Sequence, residues 1–490
     1  MSESPSPTNH SLDASPLVVD LDRSLIRVDL LHEALARLGA REPRRLLRLA
    51  WRHRGSLAAF KTAVAVAAPV EPSKLPYDPR VLAYLRGEHA RGRRLILATA
   101  SPSAWAVPIA EHLGFFSDVI ATHAAANLKR ERKLAAIREL LGATAPFAYL
   151  GDSNDDIPVF EAATGGRVLV GSSPRPLAYL RKTGAAFHHV SPTDRLSEIR
   201  AMIRACRPVH WIKNSLIFLP AVTSWGTYDP QRLLAATAAF FAFSFTASAV
   251  YLINDLADLA ADRAHPDKRR RPLAAGLLPV SRGVALAACL ALAGFGLAAA
   301  TGPVVVSVLL IYIVLNAAYT IRLKEMPLTD IALLCSFYLI RVMLGLAVLG
   351  LPQSVWFIAF LGCLFAELAH WKRYVEVVGA PPSASSKRRS YTPQDANVLL
   401  AFGVGFSFAA ALVLTLYLRS DEISPVYKSP EALALLAPIL LFHNLGMWLE
   451  ASRGNGASDP ITFVLKSPKF WVITLAAMIV LASARLLPLG

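Results

Sequence analysis

The run Asn254-Asp255-Leu256-Ala257-Asp258-Leu259-Ala260-Ala261-Asp262-Arg263-Ala264-His265-Pro266-Asp267-Lys268-Arg269-Arg270-Arg271-Pro272 decides how this chain is read. It begins where an apolar segment long enough to cross a membrane ends. Asp255, Asp258 and Asp262 stand at i, i+3 and i+7, which predicts three carboxylates on one helix face. Left alone at a bilayer edge they would repel one another. A divalent cation resolves that repulsion, and Mg²⁺ characteristically binds one or two carboxylates together with substrate phosphate oxygens. The basic run that follows suits a pyrophosphate or a second phosphate. The pattern predicts a transferase site at a membrane surface, with a diphosphate as leaving group.

Apolar character is spread unevenly around this run. The chain has 490 residues, 54% of them apolar, with 51 Lys+Arg against 35 Asp+Glu. Up to about residue 200 the pattern is that of a soluble α/β protein. From Trp211 onward, apolar blocks of roughly 17 to 23 residues recur, the length that spans a bilayer. Nine helices are expected, opening near Trp211, Leu233, Gly283, Pro303, Leu328, Ser354, Ala396, Leu433 and Phe470. The loops after the second, fourth, sixth and eighth carry Arg263 to Arg271, Arg322 with Lys324, Lys372 to Arg389, and Arg453 with Lys466. Basic loops mark the cytoplasmic side, so the net charge of +16 is read as topology, with no nucleic-acid partner. No signal-peptide pattern is seen, and the soluble half is expected in the cytoplasm beneath the inner membrane. The Ser/Pro-rich residues 1–15 read as a disordered tail. Cys206, Cys289, Cys335 and Cys363 show no metal-ligand spacing.

In the soluble half, short apolar runs read as strands: Leu17–Val19, Leu95–Ala98, Asp118–Ala121, Phe147–Leu150 and Val168–Val170. Helical patterns between them predict a doubly wound, Rossmann-like parallel sheet. Polar residues fall at the strand ends, where such sheets bind ligands: Asp20 and Asp22, Thr99, and Asp152, Asp155 and Asp156 of Gly-Asp-Ser-Asn-Asp-Asp. These motifs, in this order, resemble the haloacid dehalogenase (HAD) superfamily of phosphatases over residues 16–192, with a small helical cap at about 26–85. The resemblance makes Asp20 the nucleophile, Asp22 the general acid/base, Thr99 the phosphate-holding hydroxyl and Lys133 the phosphate lysine, with Lys129 its rival. It makes Asp20, Asp22, Asp152 and Asp156 the Mg²⁺ region. An aspartate attacks phosphorus only when a cation neutralises the charge between two anions. The family usually has Gly after the second aspartate, whereas this chain has Arg23.

After a linker at 193–206, residues 207–490 resemble the UbiA superfamily of membrane transferases, within it the decaprenyl-phosphate phosphoribosyltransferase branch. The resemblance is carried by Arg207-Pro208 with Trp211-x-Lys213-Asn214, by the aspartate run with its His265-Pro266-x-Lys268 tail, and by Tyr319 to Lys324. Pro327, Asp330, Arg341 and Lys372-Arg373 complete it. Aromatic prenyltransferases of the superfamily usually carry a second aspartate-rich motif after the sixth helix. Here that region reads Glu367-Leu-Ala-His370-Trp-Lys372-Arg373-Tyr374-Val-Glu376, followed by Lys387-Arg388-Arg389. Cations suit a phosphomonoester and a lipid phosphate better than a second metal.

The expectation is a bifunctional membrane enzyme. Asp255, Asp258 and Asp262 hold Mg²⁺ on the pyrophosphate of phosphoribosyl pyrophosphate (PRPP), and a polyprenyl phosphate attacks the ribose. Lys213, Asn254, Arg263, Lys268, Arg271, Lys324, Asp330, Lys372 and Arg373 are the candidate substrate ligands, and the HAD half dephosphorylates the product. Two rivals stand beside it: an aromatic prenyltransferase that uses a prenyl diphosphate, and a HAD half that serves only as a binding module.

Overall fold

The computed structural model describes residues 15–124, 126–191, 195–224, 229–379, 391–420, 427–456, 460, 463–464 and 467–486. The N-terminal tail up to residue 14, Lys387-Arg388-Arg389 and Lys466 lie outside them. The chain forms two compact units, one of residues up to 207 with 248–289, the other of 208–247 with 290 onward.

The first unit opens on β1 (Leu17–Val19). Four helices follow: α1 (Leu30–Arg41), α2 (Pro43–Arg52), α3 (Leu57–Ala67) and α4 (Pro79–Ala90). Then come β2 (Leu95–Pro102), α5 (Ser103–Leu113), β3 (Asp118–Thr122), α6 (Glu131–Leu141) and β4 (Ala148–Gly151). The series closes with α7 (Ile157–Ala162), β5 (Gly166–Val170), α8 (Pro174–Lys182), β6 (His188–Val190) and α9 (Arg195–Cys206). Thus α9 occupies the segment expected as a linker. The six strands are all parallel, in the order β3-β2-β1-β4-β5-β6. β1 lies at the centre because both of its faces are apolar. Leu17 and Val19 join Leu95, Leu97 and Leu150 in one core layer. Val18 joins Ile96, Tyr149 and Phe160 in the other. The unpredicted sixth strand is an edge strand of His188-His189-Val190, in which Val190 alone is buried, so it carries no apolar run. Polar side chains cap three of the four helices between β1 and β2. The Asp29 carboxylate accepts from the His32 amide at α1, and Asp78, just before Pro79, accepts from Arg80 and Val81 at α4.

The strand order reverses between β1 and β4, so the carboxyl ends of these two strands frame the crevice where such sheets bind ligands.

The remainder is helical. A 3-10 stretch, Pro208–Phe218, runs into α10 (Leu219–Ser224), and α11 (Pro230–Ala257) follows. Next come α12 (Leu259–Ala264), α13 (Val280–Thr301), α14 (Pro303–Ile321), α15 (Thr329–Leu349) and α16 (Val355–Val378). The last three are α17 (Ala396–Leu418), α18 (Leu436–Ser452) and α19 (Pro468–Leu486). Among the described residues, eight helices are long and apolar enough to cross a membrane: α11 and α13 to α19. The ninth expected span, from Trp211, is helical but is not one long α-helix. Pro220 is the second residue of α10, where its missing amide costs no intrahelical bond, so it suits the point at which the 3-10 stretch gives way to α-helix. In the second unit Gly345 of α15 packs on backbone, and a Cβ there would collide with the Ile217 carbonyl.

Candidate active sites

The carboxyl ends of β1 and β4 bring together one acidic cluster. Carboxylate oxygens of Asp20, Asp152 and Asp156, all buried, lie within 4.8 Å of one another, a group suited to a metal ion. The Lys133 ammonium, from the first turn of α6, sits among them. It donates to Asp20 Oδ1 (2.8 Å), Asp156 Oδ1 (3.0 Å) and the Tyr149 hydroxyl (3.0 Å). Lys129 instead pairs with Asp155 at 2.6 Å, so of the two candidate lysines it is Lys133 that reaches Asp20. Asp156 also accepts from the Ser153 amide and hydroxyl, and from Tyr149 at 2.5 Å. Gly151 permits this packing, because a Cβ there would lie 2.9 Å from an Asp156 oxygen.

Asp22 stands one residue beyond Leu21. The Leu30 amide donates to its Oδ1 (2.9 Å), Ser101 Oγ to its Oδ2 (2.6 Å), and Thr99 Oγ1 to its Oδ2 (3.4 Å). Burial raises the Asp20 carboxyl to about 6, against the opposing pull of Lys133. Burial, with the nearby Asp29 charge, raises Asp22 to about 7. Asp152 is pushed well up by burial despite Arg23. Asp156 is held low, since Lys133, Tyr149 and Ser153 outweigh its burial. Lys133 stays charged: the carboxylates of Asp156 and Asp20 overcome its desolvation and hold it well above the ordinary lysine value. A carboxylate of elevated pKa beside a second carboxylate held by an ammonium is a pairing suited to proton transfer at phosphate.

Arg23 has φ 60°, in the left-handed region. That conformation explains why glycine is the family's usual residue here. The Arg23 guanidinium points to Asp152 at 3.3 Å and is half exposed. Ser24 and Ser101 were not singled out from sequence. Ser24 Oγ bridges Asp20 (3.2 Å) and Asp152 (3.3 Å). Each stands two residues beyond a singled-out residue, and that adjacency was the available signal.

The second candidate site is the aspartate run. The helix is interrupted at Asp258 (φ −103°, ψ 13°), which caps α12. Asp255 and Asp262, both buried, converge on Arg271 Nη1, at 2.9 and 2.7 Å. Arg207 Nη2 grips both oxygens of Asp255, at 2.5 and 2.7 Å. Asp258 turns the other way, to Arg41 of α1 at 3.4 Å. Burial raises Asp262, and Arg271 opposes the rise. Lys268 lies in an exposed turn whose amide donates to His265 Nδ1 (3.4 Å). Asn254 is half-buried. Carboxylates countered by guanidinium forks are a donor set chemically suited to a metal-diphosphate, but only Asp255 and Asp262 share a partner, and among the described residues the three carboxylates are not gathered as Asp20, Asp152 and Asp156 are.

In the second unit, Asp330 is fully buried. It accepts from the Tyr391 hydroxyl (2.8 Å) and pairs with Arg373 Nε at 2.5 Å. Arg373 also reaches Glu376 and the Tyr319 hydroxyl. Lys213, Lys324 and Lys372 belong to this unit, each engaged with neighbouring groups. Arg341 is buried, with Nε on Asn214 (2.7 Å) and its guanidinium 4.5 Å from the Phe243 ring centre. Glu367 is buried against neutral donors, Asn444 (2.5 Å) and Trp448 Nε1 (3.2 Å).

Comparison with known proteins agrees with both halves. Residues 17–161 match the haloacid dehalogenase-like hydrolase model, and residues 216–418 match that of the UbiA prenyltransferase family. The chain therefore carries an N-terminal HAD-like domain and a C-terminal domain of the UbiA family, in a multi-pass membrane protein. The uncharacterized protein y4nM of Sinorhizobium fredii is 34% identical over 94% of this chain and 89% of its own length, and the two belong to one two-domain family. The decaprenyl-phosphate phosphoribosyltransferase of Corynebacterium glutamicum is 38% identical over 201 residues, 39% of this chain and 60% of that protein. A solved UbiA homolog from Archaeoglobus fulgidus, bound to GPP and Mg²⁺, aligns over 58% of this chain and 98% of its own, at 16% identity and TM-score 0.43.

Proposed function

We propose that this protein transfers 5-phosphoribose from PRPP to a polyprenyl phosphate, and that its HAD domain then removes the 5-phosphate. The reading is carried by one conjunction: a UbiA half similar to phosphoribosyltransferases shares a chain with an assembled Asp20–Lys133–Asp156 cluster. The transferase product would keep a phosphomonoester, the kind of substrate a HAD site takes. Fusing the two sites raises the local concentration of a scarce lipid intermediate. Both sites would lie on the cytoplasmic face of the inner membrane, where the basic loops are expected.

In the transfer, a lipid phosphate oxygen bonds to the ribose anomeric carbon as the bond to pyrophosphate breaks. Asp255, Asp258 and Asp262 would hold Mg²⁺, which supplies charge neutralisation on the leaving group. Arg271 and Lys268 would contact pyrophosphate. Lys213, Asn254, Lys324, Asp330, Lys372 and Arg373 are candidates for the 5-phosphate and the lipid phosphate. In the HAD half, Asp20 would attack phosphorus while Asp22 gives a proton to the departing ribose oxygen. Asp22 would then take a proton from the water that hydrolyses the aspartyl phosphate. Thr99 and Lys133 would hold the phosphate, and Asp152 and Asp156 the metal.

The test is purified protein with labelled PRPP, a polyprenyl phosphate and Mg²⁺, with mass spectrometry of the lipid. Wild type should yield polyprenyl-phosphoryl-ribose, and Asp20→Asn its 5-phosphorylated form at similar total incorporation. Identical products from both would leave the HAD half a binding module. A prenylated aromatic product with no pentose on lipid would assign the chain to the prenyltransferases.

A further inference from the structure

Helix α1 belongs to the HAD cap, yet it touches both acidic clusters of the first unit. At its start the Leu30 amide bonds Asp22. One turn on, Glu33 takes both terminal nitrogens of Arg263, Nη1 at 2.8 Å, with the two side chains only 10% and 9% exposed. Arg263 Nε donates to the Ala274 carbonyl (3.0 Å). All three guanidinium nitrogens of Arg263 are thus engaged by protein. A buried bidentate pair is costly to break, so it holds α1 against α12.

The last turn of α1 differs. Arg41 lies 3.4 Å from Asp258, and the two side chains are 44% and 38% exposed. One long, solvated contact of this kind is easily given up. Were a metal to take Asp258, the Arg41 fork would be released from it and could hold a phosphate oxygen instead. Arg207 and Arg271 stand in the same relation to Asp255 and Asp262.

We infer that Arg41 of the HAD cap is a donor-phosphate ligand of the transferase centre, held in place by the Glu33–Arg263 clamp. Arg41 binds substrate in this scheme, whereas Glu33 is a positioning residue that acts through α1. The inference rests on the diphosphate-donor part of the proposed function and holds equally for a phosphoribosyl or a prenyl diphosphate.

The test uses the full chain in detergent, with Asp152→Asn to remove a ligand of the other metal site, and magnesium pyrophosphate as probe. Binding is read by titration calorimetry and by hydrogen exchange over residues 30–41 and 259–264. In the parent, the probe should slow exchange in both segments. Arg41→Ala should weaken binding about tenfold and abolish protection of 30–41, with Arg41→Lys in between, because lysine lacks the fork. Glu33→Ala should match Arg41→Ala, and the double variant should be no worse than either, since both act through one group. Arg41 is half exposed, so its variants should melt like the parent. Equal affinity in the parent, Arg41→Ala and Glu33→Ala would overturn the inference and leave the donor reading intact. A parent that binds no magnesium pyrophosphate would overturn both.

Discussion

Two groups of aspartates among the described residues are neutralised in opposite ways. In the HAD domain one lysine, fully enclosed, touches Asp20 and Asp156 at once. Its carboxylates hang from the ends of β1 and β4, in the middle of a six-stranded sheet. In the aspartate run, arginines from three segments, Arg41, Arg207 and Arg271, face carboxylates at a helix end, and each is partly open to solvent. An ammonium is a compact point charge, and burying it fixes a site before substrate arrives. A guanidinium is a planar fork that exchanges one carboxylate for one phosphate with little change in geometry. The difference teaches where each site keeps its freedom. The HAD cluster is held in place before any ligand arrives, and under the proposed function the aspartate run would trade partners on binding a metal-diphosphate.

The largest effects should come from the carboxylates that would hold that metal. Asp255→Asn and Asp258→Asn should each lower transfer roughly a thousandfold or more, since several kcal/mol of leaving-group stabilisation would go. Both should leave folded protein in the membrane. Near wild-type transfer by either purified variant would refute the metal assignment.

Lys133→Met probes the enclosed plan. It strands buried carboxylates without their cation and should destabilise the HAD domain by about 3–5 kcal/mol. Added Mg²⁺ should restore part of that loss in thermal melts. If melting were unchanged without metal, the lysine would not be the cluster's structural counter-charge.

Ser101→Ala removes a 2.6 Å hydrogen bond to Asp22, whose carboxyl sits at about 7. That bond lowers the Asp22 pKa, so its loss should raise the pKa further. The alkaline limb of the phosphatase kcat/KM profile should move to higher pH, with a rate loss of roughly tenfold. A limb that stays put, or moves down, would remove Asp22 from the acid role.

The smallest effect is expected at Arg23. Its φ of 60° costs a side-chain-bearing residue about 1 kcal/mol, and its ion pair is half exposed. Arg23→Gly should therefore retain phosphatase activity and gain up to about 1 kcal/mol of stability. Loss of turnover would show that Arg23 contacts substrate.

Much of this molecule was legible in its residues. The apolar runs at Leu17–Val19 and Leu95–Ala98 marked central strands because both faces are buried, while His188–Val190 escaped notice because an edge strand needs no such run. The apolar blocks marked the long helices, since crossing a bilayer demands length and hydrophobicity that any window of sequence reveals. The strand-end aspartates, which the sheet brings together, followed from local pattern as well.

Partnership was another matter. Local spacing suggested that Asp255, Asp258 and Asp262 share one face, but the fold divides them, two on Arg271 and one on Arg41. Spacing also left Lys129 and Lys133 as rivals, and only the packing of α6 against the sheet brings Lys133 to Asp20. Glu33 and Arg41 carried no signal, being charged residues on an amphipathic helix more than 200 positions before their partners. Sequence determined what each segment is, because periodicity and chain geometry act over a few residues. Tertiary structure decided which charge meets which, because ion pairing depends on distances the chain sets only when it is folded.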